Sequence, residues 1–232
     1  MNVTNVLLNI YEFQTDWAKP VLGKILKPEQ RVTILTMSHG EEIPDRKTWE
    51  SLYLPGKQIY AVLTGAYGAY GIPEGNIQFV SWFHDTPETA LMKLGEADVL
   101  FLTGGLPDVF ESRLEEWGLV EPIQRFPGIV MGCSAGAMMQ MTEYHITPDE
   151  DYDSYGYYKG LGLLDGFEPE VHYAASSVQK ESIARYLRER RKKLYAMTNQ
   201  GGLLIEDGKI TMMGDVTEFL PTDPHCGQGD FH

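Results

Sequence analysis

"PGIVMGCSAGAMMQM", from Pro127 to Met141, decides how this chain is read. A short apolar run of strand character leads in, and a run of alanine and methionine with helical character leads out. Between them stand two adjacent side chains able to act as nucleophiles, Cys133 and Ser134. A residue on a tight strand-to-helix turn has a strained backbone, and its neighbours two positions away on each side must be very small. Centred on Ser134, those neighbours are Gly132 and Gly136; centred on Cys133, they are Met131 and Ala135. Only Ser134 is in register, so Ser134 is the candidate nucleophile and Cys133 is expected to pack beneath it. The helix that follows brings unpaired backbone N–H groups, that of Ala135 first, to where an oxyanion would form.

Outward from this turn, short apolar runs alternate with longer mixed segments. Residues 5–10, 31–37, 76–82, 98–104 and 128–132 read as strands, several of them continuously apolar as befits strands buried on both faces. Residues 86–97 read as a helix with Thr86 as cap and Pro87 at its first position. Residues 107–118 and 176–193 read as amphipathic helices. The alternation predicts an α/β fold, a three-layer sandwich around a mostly parallel central sheet. Residues 202–214 read as a C-terminal β-hairpin turning at Asp207-Gly208. The expected organisation is one domain over residues 1–220 and a tail over 221–232. Residues 38–75 are read as a flexible loop beside the sheet. Their glycines, Gly65, Gly68 and Gly71, do not match a dinucleotide fingerprint.

A second glycine pair, Gly104-Gly105, ends the strand at 98–104 and lets backbone N–H groups approach a ligand. Gly105 could supply an oxyanion donor beside Ala135. A serine nucleophile needs a base, and the chain has six histidines. His172 lies just before the helix at 176–193, where a parallel sheet presents residues to the crevice at its strands' carboxyl ends. His39, after the run 31–37, is the second choice; His225 and His232 fall in the tail.

The 232 residues are 43% hydrophobic, enough for one sizeable core, and the formal net charge is −14. That balance argues against non-specific binding to nucleic acid or anionic lipid. Two cysteines, Cys133 and Cys226, make neither a disulfide framework nor a zinc pattern. No metal motif and no cofactor fingerprint is found. The first residues show no signal peptide and no segment has the length of a membrane span, so a cytoplasmic location is expected. The basic run 185–193 reads as a solvated helix face, with Arg185 or Arg188 as a sharper candidate for clamping an acidic substrate group. The acidic, tyrosine-rich stretch 149–160 reads as a surface loop or a wall of the pocket.

"FLTGG", "GCSAGA" and "GLGLLDGFEPEVHY" together resemble the serine peptidase family of dipeptidase E (aspartyl dipeptidase) and cyanophycinase. The likeness runs from about Val99 to Gly214. It implies a class I glutamine amidotransferase-like fold and a hydrolase of small peptides that works through an acyl-enzyme. The implied site has Ser134 as nucleophile, His172 as base and an oxyanion hole near Gly105 and Ala135, with Gly104 and Leu106 beside the substrate. A homodimer is a possible partner state. Two departures stand out. Asn199 falls where the family keeps its acid; an amide can still orient a histidine but cannot stabilise imidazolium by charge. Glu170, Asp165 and Asp207 are nearby carboxylates that could take that place instead. Leu106-Pro107 follows the glycine pair where the family tends to carry a polar residue. The alternative function is a non-catalytic or weakly active binding member that has lost the acid.

Overall fold

A computed structural model describes residues 4–221. Its strands are β1 (Thr4–Leu8), β2 (Val32–Thr36), β3 (Ile77–Ser81), β4 (Val99–Leu102), β5 (Ile129–Cys133), β6 (Glu143–Ile146), β7 (Gly156–Lys159), β8 (Phe167–Glu170), β9 (Lys193–Glu206) and β10 (Lys209–Phe219). Its helices are α1 (Lys19–Leu22), α2 (Arg46–Tyr53), α3 (Gln58–Gly68), α4 (Pro87–Gly95), α5 (Pro107–Glu116), α6 (Val120–Gln124), α7 (Ala135–Met138) and α8 (Ser177–Arg190). The main sheet runs β10-β9-β1-β5-β4-β2-β3, with β8 also paired to β9. From β1 to β3 every neighbouring pair is parallel, as is β8 with β9; β9 is antiparallel to β1 and β10.

The fully buried runs at β1, β2, β4 and β5 reflect a sheet covered on both sides. Alternate residues feed two separate cores. Leu7, Leu35, Leu100, Leu102 and Val130 point to the layer of α4–α7, where Leu94, Phe110, Leu114 and Ile123 meet them. Val6, Leu8, Ile34, Phe101 and Met131 point to the layer of α1–α3, with Leu22, Trp49, Tyr53, Leu63 and Tyr67. This is the expected three-layer α/β sandwich. Burial of both faces supplies most of its hydrophobic stabilisation, at about 25 cal/mol per Å² of apolar surface.

The hairpin is present and longer than expected. It turns at Asp207 and Gly208, both with positive φ, as a two-residue turn matching the strands' twist requires. The segment 38–75 corrects the loop reading. It holds α2, capped by Asp45 through the N–H of Thr48, and α3. Gly65 and Gly68 lie within α3, which is held down by Leu63, Ala66 and Tyr67 against the sheet. Glycine and β-branched residues weaken its intrinsic preference, so packing rather than propensity forms this helix. Residues 139–141 fall outside α7, and residues 163–166 are not strand. The stretch 149–160 contains β7, which pairs with β6 in a separate antiparallel ribbon. The tail at 222–232, with Cys226, His225 and His232, lies outside the described residues.

Candidate active site

The turn after β5 is as tight as its glycines suggest. Ser134 has φ 52° and ψ −114°, a conformation rare for a residue with a side chain. A Cβ on Gly132 would run into the carbonyl of Gly136, and one on Gly136 into the carbonyl of Leu102. The turn is fixed from both sides: Ser134 N donates to Leu8 O at 2.8 Å, and its carbonyl accepts from Ala137 N and Met138 N. Beneath it, Gln140 is wholly buried, accepting from Asn5 Nδ2 at 2.9 Å and donating to Val6 O. Cys133 packs under the turn, 3% exposed, and burial pushes its thiol pKa far up. A thiol held protonated is a poor nucleophile.

His172 stands between β8 and α8 with φ 51°. Its Nε2 lies 2.9 Å from Ser134 Oγ, and its Nδ1 lies 2.7 Å from Asn199 Oδ1. With Nδ1–H donating to the amide oxygen, Nε2 is free to accept the serine proton. Gln179 of α8 holds this segment from behind, accepting from Ala174 N at 2.9 Å and donating to His172 O at 3.1 Å. Tyr173 N donates to Met197 O at 2.8 Å, tying the segment to β9.

Asn199 projects from an irregularity in the β9–β10 ladder. Pairing passes from Gly201↔Gly214 to Met197↔Val216, leaving residues 198–200 outside the regular register. Such bulges re-aim a side chain. Asn9, just after β1, donates to both Met197 O and Thr198 O at 2.7 Å and braces the approach. Asn9 and Gln179 carry no motif. Their roles arise from contacts 188 and seven residues away in sequence.

Gly105 adopts φ 137°, and a Cβ there would meet Ser38 O. Among the described residues neither its N–H nor that of Ala135 has an acceptor, and both residues line the cavity in front of Ser134. Gly104 N instead donates to Tyr11 Oη at 3.1 Å, and Leu106 N donates to Ser38 O at 2.7 Å. Neither Gly104 nor Leu106 lines the cavity. Gly104 packs against the Ser134 side chain, and the Leu106 side chain points at Gly40.

The other sequence candidates are committed elsewhere. His39 is buried, stacked on Phe83 at 5.0 Å, and burial lowers its pKa to about 4. Asp165 pairs with Lys192, and Asp207 makes the hairpin turn. Arg185 lies over Tyr155 and pairs with Glu189, away from Ser134. Glu170 lines the same cavity but serves another histidine. His145 lies buried between Glu168 (Nδ1 to Oε1, 2.6 Å) and Glu170 (Nε2 to Oε2, 2.9 Å). Thr147 Oγ1 donates to Glu170, and His145 N donates to Glu168. Burial alone would lower the His145 pKa, but the two carboxylates outweigh it and raise it to about 9.

The cavity measures about 520 Å³ and is walled by Pro107, Met138, Ile146 and Val171 beside the polar groups, with Asp149, Asp151 and Tyr152 on one side. The stretch 149–160 therefore contributes a wall. No cluster of His, Cys, Asp and Glu able to hold a metal ion occurs among the described residues, nor does any helix long and apolar enough to cross a membrane.

The fold and this crevice at the strands' carboxyl ends define an α/β protein with a serine, a histidine and an asparagine in line at its strand ends. The model of Peptidase family S51 matches residues 59–213, two thirds of the chain, and the chain belongs to that serine peptidase family. The match begins at α3, well before the motifs that carry the resemblance in sequence. No curated protein matches. Among solved structures, a Listeria monocytogenes EGD-e protein assigned as a peptidase E superposes with a TM-score of 0.66 at 15% identity, covering 93% of this chain and 100% of that one. A peptidase from an acI-B1 Actinobacterium superposes with a TM-score of 0.60 at 15% identity, covering 96% of each. At that identity the likeness is one of fold.

Proposed function

We propose that this peptidase is a serine hydrolase of small peptides, similar to dipeptidase E, acting through an acyl-enzyme on Ser134. Ser134 Oγ attacks the scissile carbonyl as His172 Nε2 takes its proton. The N–H groups of Gly105 and Ala135 receive the developing oxyanion. His172 then gives the proton to the leaving amine. Water, deprotonated by His172, releases the acid and restores the serine. Asn199 orients the imidazole through Nδ1. The observation that carries the reading is the unbroken chain Asn199 Oδ1···His172···Ser134 Oγ, at 2.7 and 2.9 Å.

A fluorophosphonate probe tests it. Labelling of Ser134, lost in Ser134→Ala and kept in Cys133→Ala, together with hydrolysis of dipeptides or tripeptides, is the expected result. The neutral amide at position 199 favours one second reading, a weakly active or purely binding member of the fold. An unlabelled Ser134 that still binds peptide would select it.

A further inference from the structure

Resting on that peptidase reading, we propose that the cavity in front of Ser134 selects peptides bearing a positive charge beside the cleaved bond. Three carboxylates line it, those of Glu170, Asp149 and Asp151, and among the described residues no lysine or arginine does. Among the described residues Asp149 and Asp151 have no ion-pair partner, and Asp149 accepts only from the N–H groups of its own turn. The deeper wall carries a second acidic group. One imidazolium, His145, sits between two carboxylates, Glu168 and Glu170, and the three side chains are 1%, 1% and 5% exposed. Burial pushes the Glu168 carboxyl pKa up, and Glu170 is the carboxyl of this group that lines the cavity.

The cations nearby are engaged. Arg185 pairs with Glu189, Arg190 pairs with Glu143 and lies on Tyr157, and Lys159 pairs with Glu115. Arg113 donates to the carbonyls of Met37 and His39. A carboxylate at a partly dehydrated wall acts over several ångströms and is least costly when a counter-charge arrives. The apolar flank of Met138, Ile146 and Val171 suits an aliphatic stem with a charged head. An acidic residue in the same place would be repelled.

The cation could be a lysine or arginine side chain or the free N-terminal ammonium. The test is calorimetric binding to the Ser134→Ala protein, which does not depend on turnover, while fluorophosphonate labelling of the wild type separately checks the nucleophile. Matched tripeptides would carry lysine, norleucine or glutamate, each with a free or an acetylated N-terminus. The lysine peptide is expected to bind roughly tenfold tighter than the norleucine peptide at low salt, with the margin shrinking as salt screens it. The glutamate peptide should bind weakest. Loss of affinity on acetylation alone would assign the charge to the N-terminal ammonium. Asp149→Asn with Asp151→Asn, which keeps the turn's acceptor, should cut the ratio of lysine to norleucine affinity severalfold, and an unchanged ratio would count against the proposal. Equal binding of all three side chains with free or blocked ends, tighter binding of glutamate, or no binding of any peptide would overturn the proposal, whatever the labelling shows.

Discussion

Two histidines share this cavity and are held in opposite ways. His145 is buried between two carboxylates, stacked near Tyr155 and Tyr186, and is cationic to about pH 9. His172 is exposed, and its ring contacts an amide and a hydroxyl. A histidine locked as a cation cannot accept a proton from serine, whatever carboxylates surround it. A neutral imidazole with one nitrogen tied to an amide oxygen can. Two acids of this pocket therefore pair with His145, and His172, the proposed base, is left with Asn199. Counting carboxylates near a histidine would have picked the wrong ring.

The sharpest way to break the comparison is to remove the reacting pair. Ser134→Ala and His172→Ala should each lower kcat on a dipeptide by roughly ten-thousandfold or more, since members of such units fail together. Cys133→Ala should keep most of the activity, its thiol being buried and protonated. A dead Cys133→Ala beside an active Ser134→Ala would reverse the assignment. The glycines offer a structural counterpart. Gly136→Ala should lower stability by about 1–3 kcal/mol, because its methyl meets a fixed carbonyl in the sheet. Chemical denaturation measures this.

His145 predicts stability where His172 predicts rate. His145→Leu leaves two buried carboxylates facing each other and should cost about 3–5 kcal/mol. The pH dependence has a definite sign. The His145 pKa is raised on folding, from 6.5 to about 9, so its stabilisation is full below 6.5 and is lost as pH rises through 9. His39 runs the other way. Its pKa falls to about 4, so stability drops as pH falls from 6.5 towards 4. Urea midpoints across this range should show the alkaline slope disappear in His145→Gln and the acid slope weaken in His39→Phe. An unchanged alkaline slope in His145→Gln would mean the carboxylates do not hold that ring charged.

How much of this was legible in the sequence depends on distance along the chain. The strand-to-helix turn at Ser134 was, because strand, glycines, serine and helix lie within ten residues and one steric rule fixes their register. The central strands were legible from apolar runs that only a sheet covered on both sides can bury. The helices at 46–53 and 58–68 were not, since glycine and tyrosine obscure their periodicity and tertiary packing forms them. The pairing of His145 with Glu168 and Glu170 was hidden too. It joins the separate β6–β7 ribbon to β8 of the main sheet, and nothing local marks those acids as buried. Glu170, two residues from His172, looked like a stand-in acid; alternation along β8 puts it on the same face as Glu168, towards His145, and His172 leaves the strand with φ 51°.

The finest test concerns Asn199. In the proposed mechanism its Oδ1 fixes the tautomer and aim of His172, but a neutral amide adds little to the imidazolium that would form as Ser134 attacks. Asn199→Asp is nearly isosteric on a bulge held by Asn9 and should keep the 2.7 Å contact. It adds a negative charge beside the developing positive one, so kcat should stay level or rise, by up to about tenfold for 1.4 kcal/mol of transition-state stabilisation. Asn199→Ala removes the acceptor and should reduce kcat by one to two orders of magnitude while leaving KM nearly unchanged, because the ground-state peptide does not touch it. Steady-state kinetics on one dipeptide, with the three proteins side by side, resolves these differences. If Asn199→Asp lost activity while Asn199→Ala kept it, the amide would not be orienting His172, and the ring would owe its aim to the clamp of Gln179 on its backbone.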